Sequence, residues 1–144
     1  MSLFCPTAEW PPIVGVVHCA GVLGDSYAHD TTMNSFWQVF APKALGAWNM
    51  HLATQHMDLD FFVLISSLSS VLGLAGQFSY AAANQFLDGL AHHRRASNLP
   101  GLSLNRGVLG EFAGMSRKSA QNDRVLQILK STGSRELGFN QGCI

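Results

Sequence analysis

Charge is what this chain has least of. Lysine, arginine, aspartate and glutamate make up 12% of its 144 residues, nine basic against nine acidic, for a formal net charge of zero. That balance removes any electrostatic case for nucleic acid or an anionic membrane surface as a partner. Cysteine is sparse too: Cys5, Cys19 and Cys143 are scattered and odd in number. They argue against a disulfide framework and fit a reducing, cytoplasmic setting. Cys19, inside an apolar stretch, reads as a small core residue. No apolar run approaches the ~20 residues that span a bilayer. The start, Met1-Ser2-Leu3-Phe4-Cys5-Pro6, has neither a basic segment nor a long apolar one, so no secretory signal is expected. His18, His29, His51, His56, His92 and His93 do not fall at ligand spacings, and no metal is expected. A Gly-x-Gly-x-x-Gly phosphate loop is also missing. The glycines fall instead as Gly107-x-x-Gly110-x-x-x-Gly114 and Gly73-x-x-Gly76.

What is present is apolar. At 47% hydrophobic, 144 residues can bury the core of one domain. So little charge beside so much apolar surface suggests that part of that surface normally meets a partner. The β-branched run at 13–20 reads as a buried parallel strand. Asp30, Thr31 and Thr32 offer helix caps. Apolar residues then recur at Phe36, Trp37, Phe40, Ala44, Trp48 and Leu52 with a helical period, which Pro42 should kink or split. A second strand is expected over 61–65 and a helix over 80–96, with Phe86, Leu87 and Leu90 facing the core. The run His92-His93-Arg94-Arg95 reads as a solvated helix end. After the turn Leu99-Pro100-Gly101 comes a third strand, 102–105. Ser116 caps a last helix over 117–131, ended by Gly133. Strand alternating with helix gives an α/β fold, a parallel sheet with right-handed crossovers.

Chemistry concentrates between the second strand and the helix after it. The strand ends in Ser66-Ser67, and the helix is expected to open at Tyr80. Both hydroxyls therefore reach the strands' carboxyl edge, where open α/β sheets bind ligands. Tyr80 and Asn84, four apart, share one helix face. A serine and a tyrosine converging this way can hydrogen-bond a carbonyl oxygen and protonate it. Taken singly, each residue has an ordinary explanation, Ser67 as a turn cap and Tyr80 as packing at a helix start.

Jointly, these residues resemble the active site of the short-chain dehydrogenase/reductase superfamily, in particular the ketoreductase domain of modular polyketide synthases and multifunctional fatty acid synthases. The markers are Gly15-Val16-Val17-His18-Cys19-Ala20-Gly21-Val22-Leu23, Ala41-Pro42-Lys43, the segment from Asp60 to Ser67, Gly76-Gln77 and Tyr80-Ala81-Ala82-Ala83-Asn84. Ser67 and Tyr80 are 13 positions apart and Lys43 precedes Ser67 by 24, both as in synthase ketoreductases. Asparagine four residues after the tyrosine, with the lysine moved upstream, is their particular arrangement. Asn105-Arg106-Gly107 departs from the family's Asn-Trp-Gly. Leu23-Gly24-Asp25 resembles a Leu-Asp-Asp loop with its middle residue replaced.

The resemblance implies the C-terminal half of a doubly wound, Rossmann-like sheet. It divides the chain into a lead-in (1–11), a partial ketoreductase domain (12–133) and a tail (134–144). It implies a catalytic set of Lys43, Ser67, Tyr80 and Asn84. Tyr80 is the acid, Ser67 holds the carbonyl oxygen, Lys43 favours phenolate, and Asn84 links Lys43 to Tyr80 through hydrogen bonds with water. Ala20, Gly21, Ser66, Gly107 and Val108 would line the cofactor. The implied reaction is NADPH-dependent reduction of a β-ketoacyl thioester on the phosphopantetheine arm of an acyl carrier protein. The Gly-rich N-terminal half would come from elsewhere. The alternative is a catalytically inactive fragment that serves only in packing or association.

Overall fold

The computed structural model describes residues 11–107. The expected lead-in as far as residue 10, the helix over 117–131 with Ser116 and Gly133, the tail, and Val108 lie outside the described residues.

Three strands, β1 (Gly15–His18), β2 (Phe61–Ser67) and β3 (Leu102–Arg106), form one parallel sheet in the order β1-β2-β3. Gly15 pairs with Phe61 and His18 with Leu64; Val63 pairs with Leu102 and Ser67 with Arg106. β1 has half the expected length. The Val14 carbonyl still takes the Asp60 N–H at 2.7 Å, but Cys19 and Ala20 lie past the ladder. Cys19 is consequently exposed, not the small core residue expected of it. β2, in contrast, runs two residues further than its apolar stretch, because Ser66 and Ser67 pair with Asn105 and Arg106.

The helical segment after Asp30 begins as its sequence indicates. Thr32 caps α1 (Met33–Phe40), accepting from the Ser35 N–H, while the Ser35 hydroxyl accepts from the Thr32 N–H. At Pro42 the α-helix is interrupted, as expected, though not by a loop. Residues Ala41–Leu45 form a π-helical turn that leads directly into α2 (Gly46–Thr54), and the Gly46 N–H closes on the Ala41 carbonyl. A π turn holds one residue more than an α turn, so everything beyond it is rotated by about 100°. The buried positions are therefore Val39, Lys43, Ala44, Ala47, His51 and Thr54, while Trp37 and Leu52 of the expected stripe stand exposed.

After β2 a short helix, α3 (Ser69–Leu72), and a turn with positive φ at Gly73 and Gly76 lead into α4 (Phe78–Ala96). Helix α4 starts two residues earlier than expected, which puts Tyr80 inside its first turn. Its inner face is Ala83, Asn84, Leu87, Leu90, Ala91 and Arg94. With Ala47, Leu59, Phe62 and Leu64, the aliphatic members of that face form the core between sheet and helices. Arg94 corrects the reading of a solvated helix end: it is fully buried, being four residues beyond Leu90 and seven beyond Leu87. Its neighbours in sequence, His92, His93 and Arg95, are exposed. Among the described residues no helix is long and apolar enough to cross a membrane.

Candidate active site

The π turn delivers Lys43 inward. Its side chain is only 3% exposed, and its Nζ donates to the Ile65 carbonyl at 2.9 Å, one residue past the last β1 partner on β2. Burial pushes its ammonium below the ordinary lysine range, against a smaller opposing influence of nearby Cys19. The same Nζ lies 5.6 Å from the centre of the Tyr80 ring, within cation–π range. Lysine and tyrosine, 37 positions apart in sequence, are thus face to face at the carboxyl edge of the sheet.

Asn84, fully buried, lies one helical turn beyond Tyr80. Its Nδ2 donates to the Tyr80 carbonyl at 2.8 Å, and its Oδ1 has no partner among the described residues. Among the described residues Asn84 makes no direct hydrogen bond to Lys43 or to the Tyr80 hydroxyl. Helical geometry sends the Asn84 amide to the carbonyl four residues back, and Lys43 meets Tyr80 directly through the ring.

Ser67 ends β2 half-buried, and its Oγ accepts the Ser69 N–H at 3.2 Å. A hydroxyl that accepts from the backbone keeps its own O–H to donate. No hydrogen bond joins it to Lys43, Tyr80 or Asn84 among the described residues. Ser66 points the other way: its buried Oγ donates to the Asn84 carbonyl at 3.2 Å and ties strand to helix. At the end of β1, Ala20 is exposed and Gly21 half-buried, and a Cβ on Gly21 would stand 3.4 Å from Lys43 Nζ. Gly107, just past β3, faces Leu68 Cδ1, which a Cβ there would meet at 3.6 Å. The loop after β1 is fastened to the entrance of α4. The Ser26 N–H reaches the Gly76 carbonyl at 2.8 Å, and Gln77 Nε2 reaches Asp25 Oδ1 at 3.4 Å.

Two features escaped sequence reasoning. His18, read from sequence only as part of the family segment at the end of β1, is buried, and its Nε2 lies 2.9 Å from the Lys43 carbonyl. Burial holds its imidazole below the usual histidine range. A histidine in a buried apolar strand was the available signal. Asp88, which carried none, gathers the hydroxyls of Ser70 and Ser103 and the amide of Asn105. Burial would raise its carboxyl pKa, but those donors, with Ser66, outweigh it and hold the group below the usual carboxylate range. Among the described residues no group of three metal-ligating side chains is arranged to hold an ion.

The family model described as "KR domain" matches residues 5–111. The phenolphthiocerol synthesis polyketide synthase type I Pks15/1 of Mycobacterium bovis is 44% identical over 115 residues, which is 80% of this chain and 5% of that protein. The mellein synthase of Phaeosphaeria nodorum is 54% identical over 86 residues, 60% of this chain and 5% of that one. The chain thus spans about a twentieth of the length of these curated relatives. Among solved structures, an A1-type ketoreductase superposes with a TM-score of 0.76 at 39% identity, covering 83% of this chain and 26% of the other. A ketoreductase domain from the bacillaene assembly line gives 0.77 at 34% identity, covering 89% and 31%.

Proposed function

The chain belongs to the KR-domain family, the ketoreductase domains of polyketide synthases with their short-chain dehydrogenase/reductase fold, and from that premise we propose that residues 12–133 are the catalytic half of a β-ketoacyl reductase. Its substrate is a β-ketoacyl thioester carried on the phosphopantetheine arm of an acyl carrier protein, and its product the β-hydroxy thioester. The observation that carries this reading is the buried Lys43 ammonium, 5.6 Å from the Tyr80 ring centre, at the edge where β2 ends in Ser67.

The residues present fit NADPH. Ala20 is open at the end of β1, Gly21 has no side chain to fill the space before Lys43 Nζ, and Asn84 Oδ1 is a buried acceptor without a partner. Ala20, Gly21 and the backbone at Ser66 and Gly107 would line the cofactor, with Val108 next in sequence. NADPH, when bound, supplies the hydride that reduces the keto carbon. Ser67 donates its O–H to the ketone oxygen and fixes the carbonyl. Tyr80 gives its phenolic proton to that oxygen as negative charge develops, closing the product hydroxyl. Lys43 is the cation beside the Tyr80 ring, 5.6 Å from its centre, and its charge offsets the negative charge left as the proton departs. Asn84 anchors the first turn of α4 by holding the Tyr80 carbonyl, and its Oδ1 accepts from a donor bound at the site. The phenolate regains its proton from solvent.

The test joins the chain to an N-terminal ketoreductase half and follows NADPH consumption with a β-keto thioester. Tyr80→Phe should lower turnover by ~10²–10⁴-fold, the usual contribution of a positioned acid. Wild-type turnover in that variant would remove Tyr80 from the chemistry.

A further inference from the structure

We infer that His18 and Gly46 together position Lys43: the His18 imidazole holds the carbonyl of the π turn, and the bare Cα of Gly46 leaves room for the ring. The inference deepens the reductase reading, since it takes Lys43 as the cation of that site.

Lys43 is fastened to the sheet at both ends. Its ammonium donates to the Ile65 carbonyl of β2 at 2.9 Å. Its own carbonyl lies 2.9 Å from His18 Nε2, on β1 beside Leu64. A carbonyl only accepts, so Nε2 carries the hydrogen, which fixes the tautomer of the neutral ring. The Lys43 carbonyl also receives the Gly46 N–H, so both of its lone pairs are used inside the turn. A Cβ on residue 46 would stand 3.0 Å from the imidazole Cε1, so the ring would have to give by a few tenths of an ångström, while Nε2 at 3.6 Å would be in ordinary contact. The titratable groups around Lys43 are His18 and Cys19 at the end of β1 and Tyr80 on α4. Without the His18 tie, one buried acceptor of a non-α turn loses a donor, and the turn relaxes. The ammonium then moves relative to the Tyr80 ring, and misplacement by about 1 Å near a reacting group costs on the order of 10²-fold in rate.

The experiment reads Lys43 itself, so it does not depend on turnover. The chain holds three lysines, Lys43, Lys118 and Lys130. Lys43→Arg therefore identifies the Lys43 signal in a 13Cε titration of the full chain. His18→Gln, whose amide can replace the Nε2–H donor, should keep the lowered Lys43 titration. His18→Leu should return it toward the ordinary lysine range, and Gly46→Ala should shift it in the same direction by less. Alanine favours helix over glycine, so Gly46→Ala remains informative even where His18→Leu fails to fold. An unmoved Lys43 titration in folded His18→Leu, or in Gly46→Ala where the former is unfolded, would overturn the inference. In the joined reductase, His18→Leu should lower turnover by about 10²-fold, with recovery in His18→Gln. Should Lys43→Met retain full reduction while the titrations move as expected, the reductase role of Lys43 fails and its positioning by His18 stands.

Discussion

Arg94 brings a full charge into an enclosed part of the fold, and no ion pair meets it among the described residues. Its guanidinium carbon lies 3.8 Å from the centre of the Phe62 ring, its Nε donates to the Pro100 carbonyl at 2.6 Å, and its Nη1 donates to His51 Nδ1 at 3.0 Å. Aromatic face, backbone and imidazole stand in for a carboxylate at part of the group, while its buried Nη2 has no hydrogen-bond partner among the described residues. Arg94→Ala should therefore destabilise the fold by on the order of 3 kcal/mol, from a desolvated cation–π contact and two stranded acceptors. Urea unfolding measures it, and a loss below about 0.5 kcal/mol would mean the cation is dispensable. The sequence misled here for a definable reason. Arginine is seldom buried without an acidic partner, so composition outweighed the helical register that aligns position 94 with Leu87 and Leu90. Tyr80 and Asn84 were legible because a four-residue spacing fixes a shared face whatever the surroundings. Lys43 was not legible from periodicity at all. Only the resemblance singled it out, since its inward aim depends on the π turn.

At the scale of elements, short-range pattern carried well and long-range pairing did not. The β-branched and apolar runs located all three strands. Their ends depended on partners: β1 stops at His18 because Cys19 and Ala20 leave the ladder, and β2 continues to Ser67 because β3 pairs there. Pro42 marked the break in the helix correctly but not its form. The Asp88 network joining α3, α4 and β3 involves residues up to 35 positions apart, Ser70 and Asn105, and has no local signature. Two of the ties between elements are made by neutral imidazoles, His18 from β1 to the π turn and His51 from α2 to Arg94. His51 accepts from a guanidinium that cannot give up its role as donor, so its Nδ1 carries no proton. Burial first, then the charge of Arg94 and the neighbouring His93, lowers its pKa; burial also lowers that of His18. The unfolded chain therefore takes up these protons first. Their contribution is complete above the unfolded value of about 6.5 and is lost as pH falls through the lower folded values. Thermal melts should be level above about pH 7 and decline on acidification below about pH 6.5, with a shallower decline in His18→Gln. A melting temperature constant from about pH 7.5 to 5 would show that neither ring must stay neutral.

For the whole molecule, the two faces of the sheet differ. Phe62, Leu64 and Ser66 alternate inward against α2 and α4, while Phe61, Val63, Ile65 and Ser67 point to the opposite face. By register Val17 joins that second face beside Val63, with Leu102 and Leu104 on the far strand. Val17 is 56% exposed, Phe61 44%, Leu102 49% and Leu104 40%, so this face is apolar and open. Among the described residues β1 also pairs on one side only, which leaves an edge with Val14 beside it. Composition foreshadowed such a surface, since 47% hydrophobic with 12% charged leaves little to cover it. Val14 and Val17 stand out there, whereas Val16 packs against the core, and Phe36 and Phe40 are half-buried, stacked on each other at 5.0 Å. An apolar strand edge next to an apolar face is a template for pairing with another copy. The chain by itself should accordingly self-associate, its apparent mass in light scattering rising with protein concentration. Val17→Lys, which puts a charge on both edge and face, should reduce that rise while leaving the α4 side of the sheet intact. A monodisperse, cooperatively melting monomer across the concentration series would mean that the open face is closed within the chain itself, and Val17→Lys would then lower stability instead of association.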